Sequence, residues 1–303
     1  MRFAKGHGTG NDFVILPDPD GALPVTPDLV RRLCDRRFGI GGDGVLRVVR
    51  AAKHPDAAHL AGEAEWFMDY HNADGSLSEM CGNGVRVFAR YLTDTGLVAA
   101  ATFPIATRAG VVTALVGADE ITVDMVRPVL GPRSSAREHR TGRDFAGTSV
   151  NVGNPHLVCF VEALDSVRTV EALDNVRTVE ALDSVRTVDD SGTLDTLDLT
   201  GPPGYDHGLF PDGVNVEFVA PAEPVEDRDV HVRMRVYERG SGETWSCGSG
   251  ACAVAAVALH EAGIPHGFAA VDLPGGRLTV AIAADRCVLS GPAVIVATGE
   301  LTL

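Results

Sequence analysis

The feature that most constrains this chain is a pair of Cys-Gly-x-Gly boxes 166 residues apart, Met80-Cys81-Gly82-Asn83-Gly84 and Ser246-Cys247-Gly248-Ser249-Gly250. Each runs into sequence of helical character, Val85 to Leu92 after the first and Ala251 to His260 after the second. The offset holds beyond the boxes. Asn72 falls on Glu238, each closing an aromatic-containing strand, and Gly110-Val111-Val112-Thr113 falls on Gly276-Arg277-Leu278-Thr279. Strand, loop, box, helix and hairpin therefore occur twice without a gap, the mark of a long internal repeat. A chain duplicated in this way folds as two similar units, each with a thiol at a helix N-terminus. Unpaired N–H groups and the helix dipole favour a thiolate there, so the sequence predicts lowered thiol pKa values. If the two tips face each other across a cleft, two such thiols flank one ligand.

A length of 303 residues fits about two domains, and 45% apolar residues suffice for sizeable cores. The formal charge of −15 argues against nucleic-acid or anionic-membrane partners. Arg2 and Lys5 are followed by Gly-rich polar sequence rather than a secretory apolar run, and no stretch approaches the ~18 apolar residues of a membrane span. The expected location is cytoplasmic, where the six cysteines remain free thiols. They form no CxxC pair, so neither a zinc ribbon nor a thioredoxin motif is signalled, and no metal site is expected. Cys34, Cys159, Cys252 and Cys287 read as small buried hydrophobes.

In chain order, strands are expected at Met1–Lys5 and Phe13–Leu16, joined by Gly6-His7-Gly8-Thr9-Gly10-Asn11-Asp12. That loop has the glycines of a phosphate loop but no helix after it, so it reads as a turn bringing Asn11 to a ligand. Thr26 caps a helix starting at Pro27. Residues 51–64 read as a polar surface loop and Trp66–Tyr70 as a strand ended by the turn Asn72-Ala73-Asp74-Gly75. Thr102 to Val126 alternates as β structure, and Pro128, Gly131 and Pro132 mark a break. The expected domains are 1–128 plus about 290–303, and 129–289. In the second, Val161-Glu162-Ala163-Leu164-Asp165-Ser166-Val167-Arg168-Thr169 recurs twice more through residue 187, with Asn175 in place of the serine in the second copy. Apolar residues at every third position fit neither helix nor strand periodicity, so 161–187 reads as a tandem-duplicated surface insertion.

Two facing thiols suit inversion of a carbon centre: one thiolate removes a proton from one face and the opposite thiol delivers one to the other. An ordinary thiol pKa of about 8.5 can be brought near working pH, where acid–base catalysis is most effective. Two helix tips supply N–H groups for a carboxylate whose neighbouring carbon gains negative charge. A redox pair closing a disulfide, or a non-catalytic binding protein, are the readings from other classes.

The motifs His7-Gly8-Thr9-Gly10-Asn11-Asp12-Phe13, Asn72-Ala73-Asp74-Gly75-Ser76, Met80 to Arg86, Gly153-Asn154-Pro155-His156, Val214-Asn215, Tyr237-Glu238-Arg239-Gly240 and Cys247 to Ala253 span nearly the whole chain. Together they resemble the diaminopimelate epimerase family, pyridoxal-independent epimerases of bacterial lysine and peptidoglycan-precursor synthesis. The resemblance implies an α+β fold of two pseudo-symmetric domains, each a mainly antiparallel sheet wrapped round a central helix, with the C-terminal strand near Val294–Val296 returning to the first. It implies Cys81 and Cys247 as the acid/base pair and no cofactor. His156 and Glu238 would tune the thiols. Asn11, Asn72, Asn154, Asn215, Glu238 and Arg239 would hold the diaminopimelate substrate, with the Gly82-Asn83 and Gly248-Ser249 loops. It also implies a homodimer. Proline racemase is the nearest rival, but such enzymes favour His after Cys-Gly in the first box, where Asn83 stands. Some family members carry a substrate-facing Gln where this chain has Gly44, and the 161–187 repeat is longer than the family needs.

Overall fold

The computed structural model describes residues 1–161 and 193–302, so the repeat beyond Val161 lies outside the described residues. In the first half the order is β1 (Arg2–Gly8), β2 (Asn11–Pro17), α1 (Pro27–Cys34), β3 (Gly44–Arg50), β4 (Trp66–Asn72), α2 (Gly82–Asp94), β5 (Thr102–Thr107), β6 (Gly110–Val116) and β7 (Ile121–Met125). The second half has β8 (Val129–Arg137), β9 (Asp144–Asn151), β10 (Pro155–Phe160), β11 (Asn215–Pro221), β12 (Val230–Glu238), β13 (Gly242–Thr244), α3 (Gly248–Glu261), β14 (Gly267–Leu273), β15 (Gly276–Ile282) and β16 (Cys287–Gly291). Strand β17 (Val294–Glu300) follows.

Hydrogen bonding joins the strands in one ribbon. Its first half runs β17-β1-β2-β3-β4-β5-β6-β7 and its second β8-β9-β10-β11-β12-β14-β15-β16, the two meeting where β7 pairs antiparallel with β16. Both halves use the same sequence of pairings: β2 with β3 and β4 with β5 are parallel, as are β10 with β11 and β12 with β14, and the rest are antiparallel. The sequence-level duplication is thus a duplication of topology. The C-terminal β17 pairs with β1, Arg2 opposite Glu300, so the chain's end lies beside its beginning.

Each half wraps a helix. α2 packs against β1, β2, β3, β4, β6, β7 and β17, and α3 against β9, β10, β11, β12, β14, β15 and β16. That enclosure explains why α3 is apolar all round: Ala251 through Leu259 are buried. α2 is as enclosed and must bury Asn83 and Arg86 as well. One apolar cluster, with Phe13, Leu46, Phe88, Ile105, Val232, Val254 and Leu289 among its members, runs through both helices and the β7–β16 junction.

Local expectations fare unevenly. Thr26 caps α1 by accepting from Leu29 N at 3.2 Å, with Pro27 in the first turn. The stretch 51–64 is more than a surface loop: it forms 3-10 turns at Ala51–Lys53 and Ala58–Leu60 and buries Ala51, Ala57 and Ala64 with Phe67 and Ala106. Isolated alanines among polar residues carry too little pattern to announce this. Of the residues read as a break, Pro128 lies between β7 and β8, while Gly131 and Pro132 fall within β8, whose register shifts between Leu130 and Arg133. An edge strand leaves the missing proline N–H without consequence. Cys34, Cys159, Cys252 and Cys287 are buried free thiols. No described helix is long and apolar enough to cross a membrane.

Candidate active site

Cys81 and Cys247 are the N-caps of α2 and α3, each in extended backbone conformation. Each sulfur accepts from the N–H three residues on, Gly84 N to Cys81 Sγ and Gly250 N to Cys247 Sγ, both at 3.4 Å. The caps are built alike because the boxes are alike.

The two helix tips abut. A Cβ at Gly82 would lie 2.9 Å from Met125 Sδ and 3.1 Å from Leu289 Cδ2, and one at Gly248 would lie 2.9 Å from the same Leu289 carbon. Glycine is therefore required at both positions for the tips to approach the β7–β16 junction. Hydrogen bonds cross between halves. Asn83 Nδ2 donates to Ser246 O and lies the same 3.1 Å from Ser246 Oγ, which is 2.5 Å from Thr9 Oγ1. Thr9 holds φ at 52°, an uncommon value for a non-glycine residue, in the turn that makes this bond.

On the Cys81 side, the thiol donates to Asn11 Oδ1 at 3.7 Å, and Asn83 Nδ2 reaches the same oxygen at 3.3 Å. Asn11 Nδ2 donates to Asp43 Oδ2 at 2.7 Å, and Arg36 bridges Asp43 and Asp12. Asn72 ends β4 opposite Gly44, its amide donating to Ser76 Oγ at 3.0 Å rather than to either cysteine. Gly44 has no room for a side chain here: a Cβ would meet His71 O at 2.5 Å and Tyr70 Cε2 at 2.6 Å.

On the Cys247 side, Ser249 Oγ lies 3.5 Å from the sulfur and accepts from Asn154 Nδ2 at 3.5 Å. Asn154 Oδ1 contacts His156 Nε2 at 3.1 Å, and His156 Nδ1 meets Glu217 Oε1 at 2.6 Å. Asn215 Oδ1 accepts from Arg239 N at 2.9 Å while its amide donates to Pro155 O at 3.2 Å. The Arg239 guanidinium is exposed and donates to Asp212 O at 3.0 Å. Glu238 accepts from Thr244 Oγ1, and its charge acts on the Cys247 thiol.

The expected lowering of the thiol pKa values is not found. Burial pushes Cys81 up to about 11 against the opposing bonds from Gly84 and Asn83. Burial, with Glu238 and Glu217 nearby, raises Cys247 well above its ordinary value. A helix dipole contributes about 1 kcal/mol, less than one pKa unit, so desolvation outweighs it. Both thiols are protonated near neutral pH in the ligand-free chain.

The structure thus brings Cys81, Asn11 and Asn83 into one network and Cys247, Ser249, Asn154 and His156 into another, joined at Asn83–Ser246. Arg239 and Asn72 stand outside direct contact with the sulfurs. Four participants escape the sequence reading. Asp43 orients Asn11, Thr9 and Ser246 stitch the tips, and Glu217 backs His156. Arg86 is fully buried one turn into α2, donating to Gly82 O at 3.5 Å and Thr9 Oγ1 at 3.4 Å, with Nε unpartnered. Desolvation lowers its pKa to about 10. Its matched position in α3 is Cys252. Asn215 and Glu217 share one strand face, the one signal that would have found Glu217. Among the described residues no group of three or more His, Cys, Asp or Glu is placed to hold a metal.

The sequence profile of the diaminopimelate epimerase family matches residues 3–131 and 183–302. The chain is 46% identical to the diaminopimelate epimerase of Streptomyces coelicolor over 309 residues, covering 99% of this chain and 95% of the relative. It is 48% identical to that of Thermobifida fusca over 316 residues, covering 100% and 98%. Among solved structures it is similar to a Bacillus anthracis phenazine biosynthesis protein of the PhzF family (TM-score 0.66, 16% identity, covering 100% and 99%). It is also similar to a probable proline racemase from Agrobacterium radiobacter (TM-score 0.62, 14% identity, covering 100% and 93%). At such identities these two structures speak to the fold alone, the two-domain α+β architecture described above.

Proposed function

This chain belongs to the diaminopimelate epimerase family, and on that premise we propose that it interconverts LL- and meso-2,6-diaminopimelate by two-base proton transfer between Cys81 and Cys247. The enzyme is an isomerase, an amino-acid epimerase. In the proposed reaction the thiolate of one cysteine takes the α-proton, and the thiol of the other gives its proton to the opposite face. The carbon inverts, and the two sulfurs end with exchanged protonation states. The reaction uses no pyridoxal phosphate.

The observation that carries this reading is the matched pair of thiol N-caps on tips joined through Asn83 and Ser246. First-turn backbone N–H groups at both tips, at Gly82-Asn83 and Gly248-Ser249, suit an α-carboxylate whose α-carbon gains negative charge in the transition state. Asn83 Oδ1 is buried without a donor and is suited to accept from a substrate ammonium. Asn11, Asn72, Asn154, Asn215, Glu238 and Arg239 would hold the remaining polar groups of the substrate. His156 and Glu238 would tune the thiols. Because both thiols are protonated in the free chain, one must ionise as substrate binds, its charge met by the helix tip and the substrate ammonium.

The proposed domains are 1–128 with about 290–303, and 129–289. A cytoplasmic homodimer supplying lysine and peptidoglycan precursors completes the reading. Exposed Val129 and Leu130 on edge strand β8, and Val294 and Val296 on edge strand β17, support a second copy covering these edges. A proline-racemase activity is the alternative, and the identity to named diaminopimelate epimerases favours the first.

Incubation with LL-diaminopimelate in D₂O, without added pyridoxal phosphate, tests the reading. Deuterium should enter at the α-carbon as meso product forms. Absence of exchange, or exchange into proline but not diaminopimelate, would overturn it.

A further inference from the structure

The two helix tips are built alike, but what lies beneath them differs. In the parallel β2–β3 ladder Phe13 is opposite Gly44, and in the matching β10–β11 ladder His156 is opposite Asn215. Phe13 therefore occupies in the first half the place of His156 in the second. Two residues on, Leu46 occupies the place of Glu217. Glycines in the two helix tips report the same neighbours. A Cβ at Gly84 would lie 3.4 Å from Leu46 Cδ2 and 3.6 Å from Phe13 Cζ, whereas one at Gly250 would lie 2.8 Å from Glu217 Oε1. The Cys81 tip rests on hydrocarbon and the Cys247 tip on a carboxyl–imidazole pair.

That pair is fully buried, and Glu217 Oε2 has no hydrogen-bond partner. Leaving a polar atom so placed is costly, and a leucine, as in the first half, would avoid it. The contacts count the protons. Asn154 gives its amide N–H to Ser249 and so presents Oδ1 to His156, which makes His156 Nε2 a donor. The 2.6 Å contact between His156 Nδ1 and Glu217 Oε1 then holds one proton, on one side or the other. From this pair a hydrogen-bonded chain runs through Asn154 and Ser249 to Cys247 Sγ. The corresponding thiol, Cys81, faces Asn11 instead.

We infer that Glu217 is a positioning residue for the Cys247 thiol: with His156 it holds a buried proton that fixes the Glu217–His156–Asn154–Ser249–Cys247 chain and makes the two otherwise matched sulfurs electrostatically unequal. The inference rests on the two-thiol reading above and adds what distinguishes the thiols. Unequal sulfurs fit a substrate whose ends differ in configuration, because the resting proton need not be shared evenly between the two faces. The titratable groups around Glu217 are His156 and Cys159 from β10, Glu238 from β12 and Cys247 at the tip of α3. Glu238 and the carboxyl end of the Glu217–His156 pair, whose Oε1 would lie 2.8 Å from a Cβ at Gly250, both oppose a Cys247 thiolate.

The test needs no turnover, so it stands apart from the fate of the epimerase assignment. Protein labelled with ¹³Cβ-cysteine is titrated by NMR, with cysteine signals assigned from single Cys→Ser variants, and compared with Glu217→Gln. The Cys247 titration should move to lower pH by about half a unit or more, roughly threefold in its ionisation constant, while Cys81 stays in place. If neither thiol moves, or both move equally, the inference is overturned. Should Glu217→Gln fail to fold, Glu217→Leu, copying the residue under the first tip, gives the same comparison with the same two outcomes.

Discussion

Val123 on β7 is paired with Leu289 on β16, 166 residues further along. That is the offset separating Cys81 from Cys247. The antiparallel register brings each residue around Val123 opposite the counterpart of its mirror neighbour, Ile121 opposite Gly291 and Met125 opposite Cys287. The pseudo-twofold axis therefore passes through the Val123–Leu289 pair. Leu289 also limits the approach of both Gly82 and Gly248. One leucine on the axis gauges the separation of the two helix tips, which explains how a duplication read along the sequence becomes a pair of tips meeting at one point.

If the tips work as a pair, neither thiol can be spared. Cys81→Ala and Cys247→Ala should each lower kcat by about 10²–10⁴-fold or more, the usual worth of a positioned acid or base. Both variants should keep their fold, since alanine fits a cap position at a cost of about 1 kcal/mol. Steady-state rates in both directions, alongside circular dichroism, measure this. Near-normal turnover in either variant would show that one base suffices.

The raised thiol pKa values predict how activity and stability respond to pH. With Cys81 at about 11 and Cys247 well above its ordinary value, the thiolate fraction grows as pH rises, so kcat/KM should climb from pH 7 to 9. Stability goes the other way. Cys34 and Cys81 at about 11 and Cys159 at about 12 hold their protons more tightly folded than unfolded. The folded state then binds more protons than the unfolded one above the ordinary thiol value of 9.0. The stabilisation is nearly full at pH 8, begins to fall as pH reaches 9, and is lost as pH rises through 11 toward 12. Urea midpoints at pH 8, 9 and 10.5 should fall in that order, and a rising midpoint would contradict the burial argument.

Asp43 carries the third prediction. It takes the Asn11 amide N–H at 2.7 Å, which turns Asn11 Oδ1 toward Cys81 and Asn83. Asp43→Ala frees the amide to rotate, so kcat/KM should fall about tenfold, equivalent to about 1.4 kcal/mol. The Arg36 contact it also loses is half-exposed and worth under about 1 kcal/mol, and the bond from Asp12 N at 3.1 Å adds about 1 kcal/mol, so the melting temperature should fall by a few degrees at most. Wild-type kcat/KM would mean that Asn11 is held by something else.

Asp43 and Glu217 also mark the limit of what the sequence shows. The boxes, the repeat and the Asn-bearing turns are legible because glycine, asparagine and cysteine at turn positions are informative one residue at a time. Asp43 sits in Gly39-Ile40-Gly41-Gly42-Asp43-Gly44 and reads as one more turn residue; its role appears only when β2 and β3 pair and bring Asn11 across. Glu217 lies in Asn215-Val216-Glu217-Phe218, an alternation that suggests a solvent-facing glutamate. β11 is buried through most of its length because α3 covers one face and the cluster of Phe145, Leu157 and Phe218 the other. The lowered thiol pKa values fail for a related reason: a cap motif encodes the dipole, but the enclosure that outweighs it comes from strands distant in sequence.

The fourth prediction concerns the nonapeptide repeat. Residues 170–187 comprise two of its three copies. The repeat follows β10, whose site end is His156 and whose far end, Phe160, is four residues on, roughly 13 Å at strand rise. Beyond the repeat, Leu194 and Leu197 join the core with Val161 and Phe218, in a cluster that contains neither Cys81 nor Cys247. Deleting 170–187 shortens the connection between Val161 and Thr193 without touching either anchor. Loop-closure entropy changes by under about 1 kcal/mol, in favour of the shorter chain. The deletion variant should therefore match the parent in kcat and KM within about twofold and melt at the same temperature or slightly higher. A large loss of activity with an unchanged melting temperature would assign the repeat a part in catalysis, and a lower melting temperature would assign it a part in the fold.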